Sequence, residues 1–281
     1  MNHFDSSTPA RIVILALKPN IAGMPLIDFT QPFYFLSAVA VVFIVVFLRY
    51  LLVAGLFHFC FYSWRPSRWQ SRKVGKRAWP KHQLRKEINW SMMTSLIFAF
   101  IGAGTAVAWQ KGWLAVYEDT GRYGWVWFFA AIGVAMVLHE TAYYWLHRWM
   151  HHPKIYPWVH KVHHDSRIPS PWTAFSFHPI EGFLEGLILP LILAVVPMHL
   201  YAVVIYLTLM TLSSVVNHLD IEIYPKWFAR HPVGKWLIGA THHSHHHRYH
   251  VFNYGLYFTF WDKWLGTESP DFEREFAERA G

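Results

Sequence analysis

Seventeen of the chain's 20 histidines lie between His139 and His250, and nine of them follow a regular spacing: His147-x3-His151, His160-x2-His163-His164, a lone His218, and His243-x2-His246-His247. Packing gives no reason for so many imidazoles in one stretch. A polynuclear metal centre built from neutral nitrogen ligands does. A single zinc-type site uses three or four ligands, so eight or nine point to two ions. Residues three and four apart share a helix face, so each H-x-x-H-H is expected to present three imidazoles together, and His147 with His151 two. Glu140 precedes His147 by seven positions and His151 by eleven, which puts all three within roughly 40° of one helical stripe. One helix is thus expected to offer a carboxylate and two imidazoles to the same point. The second H-x-x-H-H begins 83 positions after the first, as expected if two segments approach a shared centre from opposite sides.

Elements that could hold such a centre are apolar. The chain has 281 residues, of which 54% are hydrophobic, 19% aromatic and only 15% charged, and its mean hydropathy is positive. That composition belongs to membrane proteins rather than soluble domains. The expected fold is an all-α integral membrane protein, a single domain over 1–281 with an N-terminal tail (1–31) and a core at 81–267. Residues 33–48 continue past Arg49 and Tyr50 into LLVAGLFHFCFY, long enough for a ~30 Å hydrocarbon layer. Residues 91–109 form a second span, and 124–138 begin a third that runs on into the Glu140/His147 stripe. The apolar block 183–216, with Pro190 and Pro197, is long enough for a helical hairpin that leaves and re-enters on one side. About four transmembrane helices, plus or including that hairpin, are therefore expected.

Charge orients them. Residues 65–86 hold nine Lys or Arg and the 110–123 loop two, so the positive-inside rule puts 65–86 in the cytoplasm. Counting spans then brings 139–182 and 217–281 to the same side, as a cytoplasmic histidine-rich cap. The net charge of +8 fits a basic face against anionic lipid; no recognition motif accompanies it, which argues against nucleic acid. The single Cys60 excludes an intramolecular disulfide and a Cys-ligated cluster. IVILAL (12–17) is too short for a cleavable signal and lacks a small-residue cleavage site.

Several stretches carry a resemblance: KHQLRKEI, the block from Tyr143 to Gly182 (YYWLHRWMHHPKIYPWVHKVHHDSRIPSPWTAFSFHPIEG), NH at 217–218, and HHSHHHRYHVFNYG followed by WDKWLGT. From about Lys81 to Thr267 the chain resembles the fatty acid hydroxylase/sterol desaturase superfamily, membrane enzymes with a non-haem diiron centre, and within it the lathosterol-oxidase (sterol C-5 desaturase) type. The resemblance implies that His147 and His151 form a first ligand box, His160, His163 and His164 a second, His218 an isolated ligand, and His243, His246 and His247 a last box. It also implies that His178, in FHPIEG, belongs to the catalytic site, and that Glu140 stands where the family usually has Asp, able to reach the metal or orient a ligand. His139, His152, His242, His245 and His250 are extra to the pattern and leave the last box open by one residue.

Such chemistry suits the residue choice. Oxidising an unactivated C–H bond requires stepwise reduction of O2 at a redox metal, and imidazole suits iron. Zinc has no accessible redox state, although the ligands alone would also accept zinc or copper. Two iron ions with O2 as co-substrate are implied, yielding a double bond or an alcohol on a membrane lipid, a sterol ring first among candidates and a fatty-acyl or ether lipid second. Asp165, Glu181, Asp220, Glu222 and Asp262 are candidates to hold the ligands from behind, or else ordinary loop acids. The competing class is a histidine-rich metal transporter, which would place ligands near the bilayer midplane and repeat its helices. No electron-transfer motif is present, so an external donor of the cytochrome b5 or ferredoxin type is expected. The basic 65–86 loop is either its docking surface or only a topology determinant. The expected location is the endoplasmic reticulum in a eukaryote or the inner membrane in a bacterium. His3, His58, His82, His199 and His231 are expected to be ordinary surface or core residues.

Overall fold

The computed structural model describes residues 27–281; the expectations for IVILAL and His3 lie outside them. Among the described residues, four helices are long and apolar enough to cross a membrane: Pro32–Trp64, Gln83–Gln110, Gly124–Met150 and Leu200–Asn217. The first comprises α1 (Pro32–His58) and a π-helical continuation to Trp64. Then follow α2 (Gln83–Gln110) and α3 (Gly124–Met150). At 27 and 28 residues, α1 and α2 are each about 40 Å long, more than the apolar layer needs. They lie against one another along Val39, Ala99 and Ala103. A Cβ on Gly102 would come within 3.0 Å of Val42, so the small residues set how closely the two helices approach.

The apolar block after residue 178 forms the hairpin. Its outgoing leg is α4 (Pro179–Gly186) followed by α5 (Ile188–Val195), joined at Leu187, and its returning leg is α6 (Leu200–Asn217). The tip is fixed on the far side from the histidines. There β2 (Met198–His199) pairs in parallel with β1 (Val116–Tyr117), and Trp127 Nε1 donates to Pro197 O at 2.9 Å. His199 is the hinge: Nδ1 accepts from Tyr201 N at 3.1 Å, capping α6, while Nε2 donates to Glu118 O at 2.7 Å. An apolar cluster including Ala131, Ala135, Ile188, Ile192 and Val203 fills the space between α3 and the hairpin.

At the other end the spans feed a cap of short elements. Two helical turns, Tyr156–Val159 and Lys161–His164, follow α3, and α7 (Ala240–Tyr249), α8 (Phe260–Trp264) and α9 (Phe272–Arg279) follow α6. Glu87, at the start of α2, pins one side of this cap: its carboxylate accepts from Ser166, Ser170, Thr173 and Gln83 at 2.6–2.8 Å. Nothing in KHQLRKEI flags Glu87, because its three hydroxyl partners lie some 80 residues away.

Candidate metal centre

The nine patterned histidines come together in two groups. His147, His151, His160, His164 and His246 form one; His163, His218, His243 and His247 form the other; within each, one ligand atom per residue lies within 4.8 Å of all the rest. The sequence expectation that each H-x-x-H-H faces one point is corrected here. In the second box, i and i+4 (His160, His164) enter the five-membered group and His163 the four-membered one. In the last box, i and i+4 (His243, His247) enter the four-membered group and His246 the five-membered one. Helical geometry explains the split: i+4 falls about 40° to one side of i and i+3 about 60° to the other. Each box therefore straddles both groups.

Nitrogen protonation makes the groups cation sites. His147 Nδ1 donates to Tyr254 O at 2.8 Å, His218 Nδ1 to Ser214 O and His246 Nδ1 to Phe252 O, both at 2.7 Å. A carbonyl can only accept, so each of these rings carries its proton on Nδ1 and turns a bare Nε2 lone pair inward. His160 Nδ1 is likewise held by Glu181 Oε1 at 2.7 Å. Nε2 atoms then face one another: His147 and His160 at 3.0 Å, His160 and His164 at 3.0 Å, His151 and His246 at 3.1 Å, His218 and His163 at 3.1 Å, His243 and His218 at 2.9 Å. His147 and His160 both carry their proton on Nδ1, so their facing Nε2 lone pairs repel unless a cation lies between them. Ligands about 2.1 Å from an ion and at right angles to one another sit about 3.0 Å apart, so the donor set fits a metal in each group.

Burial keeps these rings ready to bind. It holds His218 down at about 4 and, with repulsion from His147 and His250, His151 at about 2. His160, His163, His164, His243, His246 and His247 are held well below the usual imidazole range, by burial first and then by one another. A neutral imidazole is the form that ligates.

Glu140 is placed differently from the expectation. It lies on α3, but its carboxylate is not in either group; Oε2 accepts from the N–H of Leu256, Tyr257 and Phe258 at 3.2, 2.6 and 3.2 Å, and Oε1 from Leu256 at 3.2 Å. The seven- and eleven-residue spacing aligned it with His147 on the helix, yet one side chain cannot reach two turns along the axis. Glu140 instead anchors the strap 254–258, the segment whose Tyr254 carbonyl holds His147. Gly255 is needed there, since a Cβ would lie 2.9 Å from Glu140 Oε1 and 2.5 Å from Phe258 O. Asp262 secures the same strap by accepting from Tyr254 N and Gly255 N at 2.9 and 3.0 Å.

His178 also stands outside both groups. Its Nδ1 accepts from Ile180 N at 3.3 Å, capping α4, and its ring lies 6.3 Å from Trp90. Of the five acids nominated from the sequence, Glu181 alone bonds a grouped histidine among the described residues. Asp165 pairs with Lys86 and Lys161, Asp220 holds Gly75 N and Ser244 Oγ, and Glu222 holds Tyr224 N and Thr241 N. The surplus His245 points away toward α9, with Nδ1 on Ser269 Oγ at 2.9 Å and Nε2 3.1 Å from Glu275 Oε2.

A bundle of apolar helices capped by two clusters of imidazoles is the architecture of an integral membrane protein with two groups of histidines that could hold metal. Residues 132–267 match the fatty acid hydroxylase family. The chain is similar to a Delta(7)-sterol 5(6)-desaturase of Gibberella zeae, 29% identical over 187 residues (66% of this chain, 56% of the relative). It is similar also to the lathosterol oxidases of Homo sapiens, 32% identical over 191 residues (66% and 62%), and Mus musculus, 34% over 160 residues (56% and 52%). The chain thus spans between half and two thirds of the length of these relatives. No solved structure matches it.

Proposed function

We propose that this protein is a membrane-bound diiron oxidoreductase that uses O2 and two electrons to introduce a double bond into the ring system of a sterol. What carries the reading is the pair of all-imidazole groups, with the Nε2 lone pairs of His147, His160, His218 and His246 turned inward, set at the end of a membrane bundle in a chain whose relatives are sterol 5(6)-desaturases and lathosterol oxidases. The residues that would hold iron are His147, His151, His160, His164 and His246 in one group and His163, His218, His243 and His247 in the other. Iron bound there would supply redox chemistry with O2.

The protein's own contribution is to fix the ligands and keep water away. Tyr254, Ser214 and Phe252 carbonyls orient three rings from behind, and Glu181 orients a fourth. Such supports raise ligand basicity and hold each ring in one tautomer. Eight of the nine grouped histidines are buried and His151 is half-buried, so an oxidising centre would be largely screened from bulk solvent. The lipid would arrive from the bilayer between the spans, with the centre at the cytoplasmic face.

Electrons would come from an acidic carrier of the cytochrome b5 or ferredoxin type, docking on the basic loop beside the cap. Lys76, Arg77 and Lys81 are exposed there, whereas Arg72 donates to Tyr224 O at 3.2 Å and Lys73 lies over the rings of Trp79 and Tyr62. Supplying the saturated-ring sterol to cells expressing the chain should give a product lighter by two hydrogens, dependent on O2 and lost with His164→Ala. A product heavier by one oxygen would make the enzyme a hydroxylase, and a change confined to acyl or ether lipids would refute the sterol substrate.

A further inference from the structure

Two carboxylates on α4, Glu181 and Glu185, each keep a buried oxygen without a hydrogen-bond partner among the described residues. Glu181 gives Oε1 to His160, but its Oε2 is buried without a partner among the described residues, and so is Oε1 of Glu185. Glu181 is wholly enclosed. The two are i and i+4 on one helix, hence on one face, and both carboxyls lie close enough to the phenol of Tyr143 to interact with it electrostatically. Tyr143 in turn sits one turn before His147, with ring centroids 5.0 Å apart. The cluster therefore borders the five-histidine group on the side from which α3 and α4 run into the bundle. A buried acceptor left unbonded costs about 1–3 kcal/mol, so an acceptor pair kept in such a place calls for a donor.

We infer that Glu185, with Glu181 and Tyr143 beside it, is the anchor for a hydroxyl group carried by the lipid substrate. The inference rests on the sterol reading, and it deepens it. A sterol bears its hydroxyl on ring A, a few bonds from the ring-B carbons that a 5(6)-desaturation would alter. The group that recognises this hydroxyl must then lie beside the metal-binding imidazoles, not at the distant end of the binding site. Glu185 meets that requirement: it lies one helical turn from the carboxylate that touches His160. The substrate O–H donates and the carboxylate oxygen accepts, which fixes the ring system's depth and its distance from the metal groups. Glu185 is on this account a positioning residue that grips substrate, and the stem of the hydroxylated ring, not the alkyl tail, enters first.

Equilibrium binding to zinc-loaded protein tests this without turnover, since zinc does not support the redox step. Radiolabelled Δ7-sterol and its 3-O-methyl ether, which has no O–H to donate, are compared in detergent micelles on the intact chain and on the Glu185→Leu and Glu185→Gln variants. A site built to bond a hydroxyl rejects an analogue lacking it strongly, so the intact chain should prefer the free hydroxyl by at least about tenfold. Glu185→Leu should bring the ratio close to one, with metal content unchanged. Glu185→Gln, close in volume and still an acceptor, should keep part of the preference and guards against a misfolded Leu variant. In turnover the same variants should raise KM for the sterol more than they lower kcat. An undiminished preference in both variants would overturn the anchor while leaving the sterol reading intact. Absence of binding of either sterol to the intact chain would overturn the sterol reading and the anchor with it.

Discussion

Replacing Glu140 by alanine tests whether this residue is a strap anchor or a metal ligand. Its carboxylate serves three backbone N–H groups, those of Leu256, Tyr257 and Phe258, and Glu140 is completely buried. An orphaned buried donor costs about 1–3 kcal/mol, so three of them amount to about 3–9 kcal/mol, with the lower end expected where the strap can shift to admit water. That is a large share of the 5–15 kcal/mol, roughly, by which domains are stable. The strap also carries the Tyr254 carbonyl that holds His147 Nδ1 at 2.8 Å, and loss of such a support lowers metal affinity by about 10–100-fold. The assay is a metal titration of purified protein, with bound metal counted by elemental analysis and stability followed by thermal unfolding. Glu140→Ala should unfold at a lower temperature and need more metal for half-saturation, yet still take up the full number of ions at saturation. Glu140→Gln, which retains one acceptor oxygen, should recover much of both losses. A stoichiometry that falls at saturating metal would show Glu140 to be a ligand, and unchanged stability with unchanged affinity would refute the strap.

Removing ligands should affect the two groups unequally. His243→Ala leaves three imidazoles in its group and His151→Ala leaves four in the other, so elemental analysis should find a clear loss of one ion per chain in the first variant and a smaller loss in the second. His178→Asn should retain metal and thermal stability, because asparagine caps a helix well, and His178→Ala should cost about 1 kcal/mol; loss of metal in the Asn variant would return His178 to the site. Reversing the charge of Lys76, Arg77 and Lys81 should slow turnover with a protein electron carrier, most at low salt, and spare turnover driven by a small chemical reductant. The pH dependence of the metal-free protein has a definite sign. Burial holds folded His218 at about 4 against 6.5 unfolded, so between those values the unfolded chain binds a proton that the folded chain refuses, and stability falls as pH falls through that window. Melting temperatures of metal-free protein from pH 7.5 to 5 should decline on the acid side; a flat profile would contradict neutral buried imidazoles.

Legibility in the sequence followed the range of the interactions. The four spans and the hairpin could be read because hydropathy is local, and Pro197 does fall at the hairpin tip. The nine histidines could be singled out because i, i+3 and i+4 spacing is local too. How the boxes divide between the two groups was not legible: a helix offers two adjacent faces, and which neighbour each meets depends on the approach of α7 to the turns at 156–164. The same limit hid the true partners of Glu140. Its stripe with His147 was correct as a projection and wrong as a distance along the axis, and the amides it binds are 116–118 residues away. Backbone carbonyls, the commonest supports of the imidazoles here, are invisible to any reading of side-chain types. Among the basic residues of 65–86, Arg72 and Lys73 are drawn into the packing of the cap by Tyr224, Trp79 and Tyr62, which a count of charges cannot distinguish from free surface.

The straddling of the boxes sets an order for biogenesis. When synthesis has passed Asn217, all four spans exist, and four of the five members of one group, His147, His151, His160 and His164, are already in the chain. The other group then holds only His163 and is about to gain His218; His243 and His247 come with α7. On the proposed two-metal reading, the first ion would be taken up by a nascent chain, whereas the second would wait until the C-terminal helices fold down over the bundle. Once in place, α7 is fastened from both groups at once, through His246 on one side and His243 and His247 on the other. Metal supply would then become a checkpoint: in a cell short of it, the chain would be fully inserted in the bilayer while α7 remained unlatched, recognisable to quality control as an unfinished product.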